Sequence, residues 1–164
     1  MQLWVNLPAK DKMATPGYQS ITKADIPVVT LPDNSGSLRV IAGHYDDVSG
    51  PAHTFSPLNV WDIALNQGSH ITLSQPEGWS TALVVLEGHV TWNGPAHDGE
   101  AKLVGMSQEG ETLHLEAGSD AKVLLMAGAP LNEPIVGYGP FVMNSKTEIN
   151  EAIREYNSRH FGQI

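Results

Sequence analysis

Apolar and β-branched residues in this chain come in short runs, and most of the runs alternate with polar positions. The central stretch is Thr81 to Gly94, Thr-Ala-Leu-Val-Val-Leu-Glu-Gly-His-Val-Thr-Trp-Asn-Gly. Its apolar run, Ala82 to Leu86, lacks alternation, which predicts a strand covered on both faces. Glu87-Gly88 then predicts a turn, and His89 to Trp92 a second strand ending at Asn93-Gly94. Two β-prone runs joined through such a pair read as a tight hairpin, with Gly88 supplying the positive φ.

The same reading finds strands and turns on either side. Leu3 to Leu7 alternates and closes at Pro8. Ile26 to Leu31 and Ser37 to Ala42 flank the turn cluster Pro32-Asp33-Asn34-Ser35-Gly36. His44 to Pro57 has no periodicity and reads as a long loop. Asn59 to Leu65 alternates, with Trp61, Ile63 and Leu65 on one face. His70 to Leu73, Ala101 to Met106, Glu111 to Leu115 and Ala121 to Met126 complete the set. Roughly ten short strands with no helix between them predict an antiparallel sandwich or barrel.

One helix is expected, at the end. Ser145-x-x-Glu148 is a capping box. Ile149, Ala152, Ile153 and Tyr156 form an apolar stripe, and Glu155 and Arg159 pair on the polar face. The helix is predicted from Lys146 to about His160. The chain therefore reads as an arm (1–20), a barrel (21–144) and a C-terminal helix (145–164) packing on the barrel or on a partner.

Composition narrows the function classes. A chain of 164 residues suits one domain. It has no cysteine, which excludes disulfides, thiolate metal sites and cysteine nucleophiles. A net charge of −9 argues against nucleic-acid backbones and anionic membranes. No apolar run approaches the ~20 residues of a membrane span. The N-terminus lacks a basic region followed by an apolar core. A soluble, cytoplasmic protein is the expectation.

Seven histidines raise the question of a metal. They are His44, His53, His70, His89, His97, His114 and His160, and none falls in a His-x-His, His-x-x-x-His or His-Glu-x-x-His arrangement. His44 with Asp46 and Asp47 is the densest local cluster, and loop polarity accounts for it as well. No Gly-x-Ser-x-Gly occurs. Gly137-Tyr138-Gly139-Pro140 lacks the Lys-Ser or Lys-Thr of a phosphate loop, and Pro140 removes an amide donor, so it reads as a turn. Glu109 and Glu111 read as a solvated face, and the tryptophans as core or interface.

Two longer segments carry a family likeness. Gln2-Leu-Trp-Val-Asn-Leu-Pro-Ala-Lys-Asp-Lys-Met13 resembles the segment joining the two halves of pirin proteins. Pro130-Leu-Asn-Glu-Pro-Ile-Val-Gly-Tyr-Gly-Pro-Phe-Val-Met-Asn144 resembles the pirin C-terminal signature, and Val85-Leu-Glu-Gly88 the family's central turn. Pirins are bicupins, and the chain is similar to the second barrel with its connector. The resemblance implies an all-β, cupin-type double-stranded β-helix (a jelly-roll barrel) with one C-terminal α-helix. It also implies that iron or another divalent metal belongs to the other barrel, held there by a His-x-His and a later His-x-Glu pair. Laid on that pattern from Leu86-Glu87-Gly88, the first pair falls on Ser74 and Pro76. Laid from Ala117-Gly118, the second falls on Val123 and Leu125. These positions are expected to turn apolar atoms inward, with Val123 and Leu125 as core contributing about 1.5–3 kcal/mol each. No catalytic residue, cofactor or metal is expected in this chain.

The resemblance thus implies a metal-free structural or protein-binding half of a bicupin. Its partner would be a second copy, giving a homodimer, or a pirin-like N-terminal cupin domain, with no nucleic acid and no membrane. Leu3, Trp4, Ile149, Ile153 and Tyr156 are the expected interface. Two other readings stay open. One is a quercetin 2,3-dioxygenase-like oxidoreductase with a relocated metal on His44, His53, His70 or His114. The other is a small-molecule-binding barrel with Trp61 or Trp79 at its mouth. A whole gene product and an excised half fit Met1 before the connector equally.

Overall fold

The structure, a computed structural model, describes residues 2–93, 96–97 and 101–158, with only the backbone of Ala96 and His97. Met1, most of the Gly94–Glu100 loop, Arg159 with its expected pairing to Glu155, and His160 lie outside the described residues. In chain order the strands are β1 (Val28–Thr30), β2 (Gly36–Ala42), β3 (His44–Tyr45), β4 (Val48–Ser49), β5 (Leu58–Leu65), β6 (His70–Ser74) and β7 (Ser80–Glu87). They continue as β8 (Val90–Trp92), β9 (Ala96–His97), β10 (Lys102–Gly105), β11 (Thr112–Ala117), β12 (Ala121–Gly128), β13 (Val136–Tyr138) and β14 (Phe141–Met143), followed by helix α1 (Lys146–Asn157). The chain divides into two compact units, Ile21–Pro130 and Met1–Ser20 with Leu131–Ile164.

The larger unit holds two main antiparallel sheets. One runs β1-β2-β5-β12-β7-β10 and the other β6-β11-β8-β9. Alternation along the strands sends one side chain in two to the core. On β5, Asn59, Trp61, Ile63 and Leu65 are buried, and on β6, Ile71 and Leu73. Residues from Leu31 to Ala127 form one hydrophobic core cluster, with Leu38, Ile63, Leu73, Leu83, Leu115 and Leu125 among its fully enclosed members. On β7 the consecutive residues Leu83, Val84 and Val85 are all buried, so both faces of that strand are covered as its unbroken apolar run predicts.

The expected hairpin does not form. β7 pairs with β12 and β10, whereas β8 pairs with β11 and β9. The Glu87-Gly88 turn therefore carries the chain from one sheet to the other. Gly88 does have positive φ, +80°. The β11–β12 turn crosses between sheets beside it: His89 N–H donates to Ser119 Oγ (3.1 Å), and Gly118 N–H to the His89 carbonyl (2.9 Å). The β5–β6 turn joins the same end, with Gly68 N–H on the Ala117 carbonyl (2.7 Å) and Gln67 N–H on Asp120 Oδ1 (2.8 Å). Three sheet-crossing turns thus close one end of the barrel. The segment His44 to Pro57, read as loop, contains the short β3–β4 pair.

In the smaller unit, Leu3 to Leu7 is not a strand. No strand pairs with it among the described residues, and Leu3, Trp4 and Val5 are all exposed rather than alternating. A 3₁₀ turn, Ala9–Asp11, follows. Ala9 N–H donates to Glu133 Oε2 (2.7 Å), and Asn144 Nδ2 to the Pro134 carbonyl (2.9 Å). Among the described residues β13 and β14 pair only with each other, across Gly139-Pro140. These strands group with the arm and α1, so the strands of the larger unit end at β12 and not near residue 144. Ser145 caps α1, its Oγ accepting from Glu148 N–H (3.3 Å), but the Glu148 carboxylate accepts from Asn144 N–H (3.0 Å) and not from the amide of Ser145. Ser145→Ala is expected to cost about 1 kcal/mol, read as faster amide exchange in the first turn of α1. No helix among the described residues is long and apolar enough to cross a membrane.

Candidate functional site

β5 runs toward the closed end and β6 returns from it, so Asn59 and Gln75 meet at the opposite end, where both are buried. Asn59 Nδ2 donates to Gln75 Oε1 across the gap between the two sheets (2.8 Å). Asn59 Oδ1 accepts from the backbone N–H of His44 (3.1 Å). Gly43 makes that approach possible: its φ is +74°, and a Cβ there would lie 2.0 Å from Asn59 Oδ1. The backbone of the β2–β3 corner thus fixes the Asn59 amide, and Asn59 fixes that of Gln75. Tyr45 packs edge-on against Trp61 at 5.2 Å. Burial, followed by the Asp46 carboxylate, raises the Tyr45 phenol above its ordinary value.

Gln75 lines a cavity of about 110 Å³ with Trp79, Met106 and Leu113. Deeper in the barrel the inward positions are apolar. Val123 and Leu125 are both 0% exposed and stand beside Ile63 and Trp61 in register. Both belong to the hydrophobic core. Ser74 and Pro76 are not inward. Both are exposed, and the inward neighbours are Leu73 and Gln75. Strand side chains have a period of two, so a count one residue out reverses the face. The count from Leu86-Glu87-Gly88 also passes through Pro76-Glu77-Gly78, which is not strand.

The histidines do not gather. His44, His53, His70, His89 and His114 are all exposed. His70 and His114 share the outer face of the four-stranded sheet, where His114 Nδ1 meets Thr72 Oγ1 (2.9 Å) and His70 Nδ1 lies 3.9 Å from Glu116 Oε2. His44 and His53 sit in the separate β3–β4 region, and the side chain of His97 and all of His160 lie outside the described residues. No three His, Asp or Glu side chains converge among the described residues. The barrel interior offers two carboxamides and an indole N–H, which do not match the imidazole, carboxylate or thiolate set a catalytic divalent cation takes. No step through a metal can be drawn on these residues.

Of the expected interface, Leu3, Trp4 and Tyr156 are exposed, and Ile153 is half-buried. Ile149 is 6% exposed and closed off within the chain, because it faces inward from the first turn of α1. Tyr156 packs edge-on against Phe141 (6.0 Å). Trp4, Leu7, Met13, Phe141 and Met143 line a groove of about 400 Å³ in the smaller unit. The Asn59–Gln75 pair escaped the sequence reading, although one signal was present. The alternation that turns Trp61, Ile63 and Leu65 inward also turns Asn59 inward.

Comparison with known proteins agrees with this architecture. The Pirin C-terminal cupin domain family matches residues 60–162. A Pseudomonas aeruginosa protein whose name assigns it provisionally to the quercetin 2,3-dioxygenases is 48% identical over 161 residues, covering 98% of this chain and 56% of that protein. Pirin of Rattus norvegicus is 35% identical over 170 residues, covering 99% and 56%. A crystal structure of quercetin 2,3-dioxygenase from Acinetobacter baumannii superposes with a TM-score of 0.90 at 50% identity, covering 98% of this chain and 56% of that one. The chain spans little more than half the length of these relatives. With its two-sheet barrel, the helix α1 and these matches, the chain belongs to the pirin family and carries its C-terminal cupin domain.

Proposed function

We propose that this cupin domain is the metal-free, structural half of a cytoplasmic bicupin assembly. Its partner is a second cupin barrel, either a pirin-like N-terminal domain or another copy of this chain. The observation that carries the reading is the packing of Val123 and Leu125. The family resemblance lays the His-x-Glu pair of the metal-bearing barrel on these two positions, and here both are sealed in the core. The exposed Leu3 and Trp4 and the apolar groove beside Phe141 support a partner-binding role. The dioxygenase reading draws on the names of relatives nearly twice this length.

Elemental analysis tests this. The purified chain is incubated with Fe²⁺, Ni²⁺, Cu²⁺ or Zn²⁺, dialysed, and assayed with quercetin. Bound metal far below one equivalent and no turnover are expected. One equivalent retained with quercetin oxidation would overturn the proposal.

A further inference from the structure

We propose that the groove of the smaller unit binds a small amphipathic monoanion, an apolar ring or chain ending in a carboxylate, with the Lys12 ammonium recognising the charge. The groove, about 400 Å³, has two walls, and both come from that unit. The arm brings Trp4, Leu7 and Met13, and the β13–β14 hairpin brings Phe141 and Met143. Ala9 N–H on Glu133 Oε2 (2.7 Å) ties the arm to the segment that leads into the hairpin. The volume lies within the range of small-molecule sites, which pair a mostly apolar wall with a few fixed polar groups. Trp4 is 73% and Met13 68% exposed, so a ligand lying against them removes apolar surface from water. Met13 and Met143 are unbranched and adapt to the shape of what they meet.

Charge decides the ligand class. In a chain of net charge −9, the only charged residue lining this groove, among the described residues, is a cation, Lys12. Its Nζ donates to Asn6 Oδ1 (2.7 Å), and Asn6 lines the groove as well. An ammonium has three donors, and Asn6 takes one of them. Lys12 has no carboxylate partner among the described residues, whereas Arg39, Lys122 and Arg154 each have one. The Asn6 carboxamide therefore holds the head of the side chain in place without neutralising it. One uncompensated ammonium matches a single negative charge. No second cation and no Arg fork line the groove among the described residues, which disfavours a phosphate dianion. The inference goes beyond the partner role and does not rest on it. Leu3, 48% exposed, does not line the groove and stays open to a second barrel.

Hydrocinnamate and hydrocinnamamide share ring and chain length and differ in charge, so they are the probes, with phenylpropylamine as the cationic control. Titration into the ¹⁵N-labelled chain is followed at the Trp4 indole N–H and at the backbone amides of Met13 and Phe141. At low salt the carboxylate is expected to bind about fivefold more tightly than the amide, the worth of one part-exposed ion pair. The amine is expected to bind more weakly than either, and added salt to narrow the differences. Lys12→Met is expected to bring the carboxylate down to the affinity of the amide and to leave the amide unchanged. Equal affinities of carboxylate and amide on the unaltered chain, or shifts that miss Trp4 and Phe141, would overturn the proposal. So would Trp4 signals that move with protein concentration alone, which would assign the groove to a second copy of the chain. Should Lys12→Met disturb the arm, Lys12→Arg decides. It keeps the charge and must keep the preference for the carboxylate.

Discussion

Leu125→Ala is expected to lower stability by about 3–5 kcal/mol, while Ser74→Ala changes it by less than about 0.5 kcal/mol. Both residues are positions onto which the family's metal-ligand pattern falls, and their environments are opposite. Leu125 is fully enclosed, opposite Trp61 in the β5–β12 ladder and opposite Leu83 in the β7–β12 ladder. Neither neighbouring strand can move in to fill the space, because each is hydrogen-bonded on both sides. Truncation therefore leaves most of its volume as cavity. Ser74 stands on the exposed face of β6, so it loses only a hydroxyl in water. Urea denaturation of the two variants measures the difference. Similar midpoints would mean that the register of β6 or β12 is wrong, and the packed-interior argument would fall with it.

Much of this barrel is legible because alternation is a local property. Asn59 to Leu65 and Glu111 to Leu115 announce their inward faces in a few residues each. Strand pairing is not local. β7 finds its partner in β12, more than thirty residues on, and nothing between Thr81 and Gly94 distinguishes a hairpin from a crossing between sheets. Leu3 to Leu7 alternates like a strand but has no edge to join. Ser74 and Pro76 show the other limit. An inference carried by counting from a remote anchor fails completely when it slips by one residue. Gln75 was hidden because it follows the apparent end of its strand and precedes a proline, where the pattern predicts a turn. Its neighbour Asn59 is what keeps it inside.

Gly88→Ala is expected to cost about 4 kcal/mol or more, and Gly78→Ala only about 1–2 kcal/mol. The two glycines share a φ of +80°. The penalty of placing an L-residue in the left-handed region is therefore common to both. Their surroundings differ. A Cβ on Gly78 meets nothing within 4 Å, whereas one on Gly88 would lie 2.2 Å from the Asp120 carbonyl oxygen and 2.9 Å from Ala121 Cα. That neighbour is backbone, and it cannot turn aside as a side chain would. Asp120 Oδ1 also accepts from Gln67 N–H, so displacing the β11–β12 turn pulls on the β5–β6 turn as well. The excess cost of Gly88→Ala over Gly78→Ala thus reads how tightly the closed end of the barrel is knitted. Equal costs in thermal unfolding would show that these turns are not packed against one another, and the sheet crossing at Glu87-Gly88 would lose its structural basis.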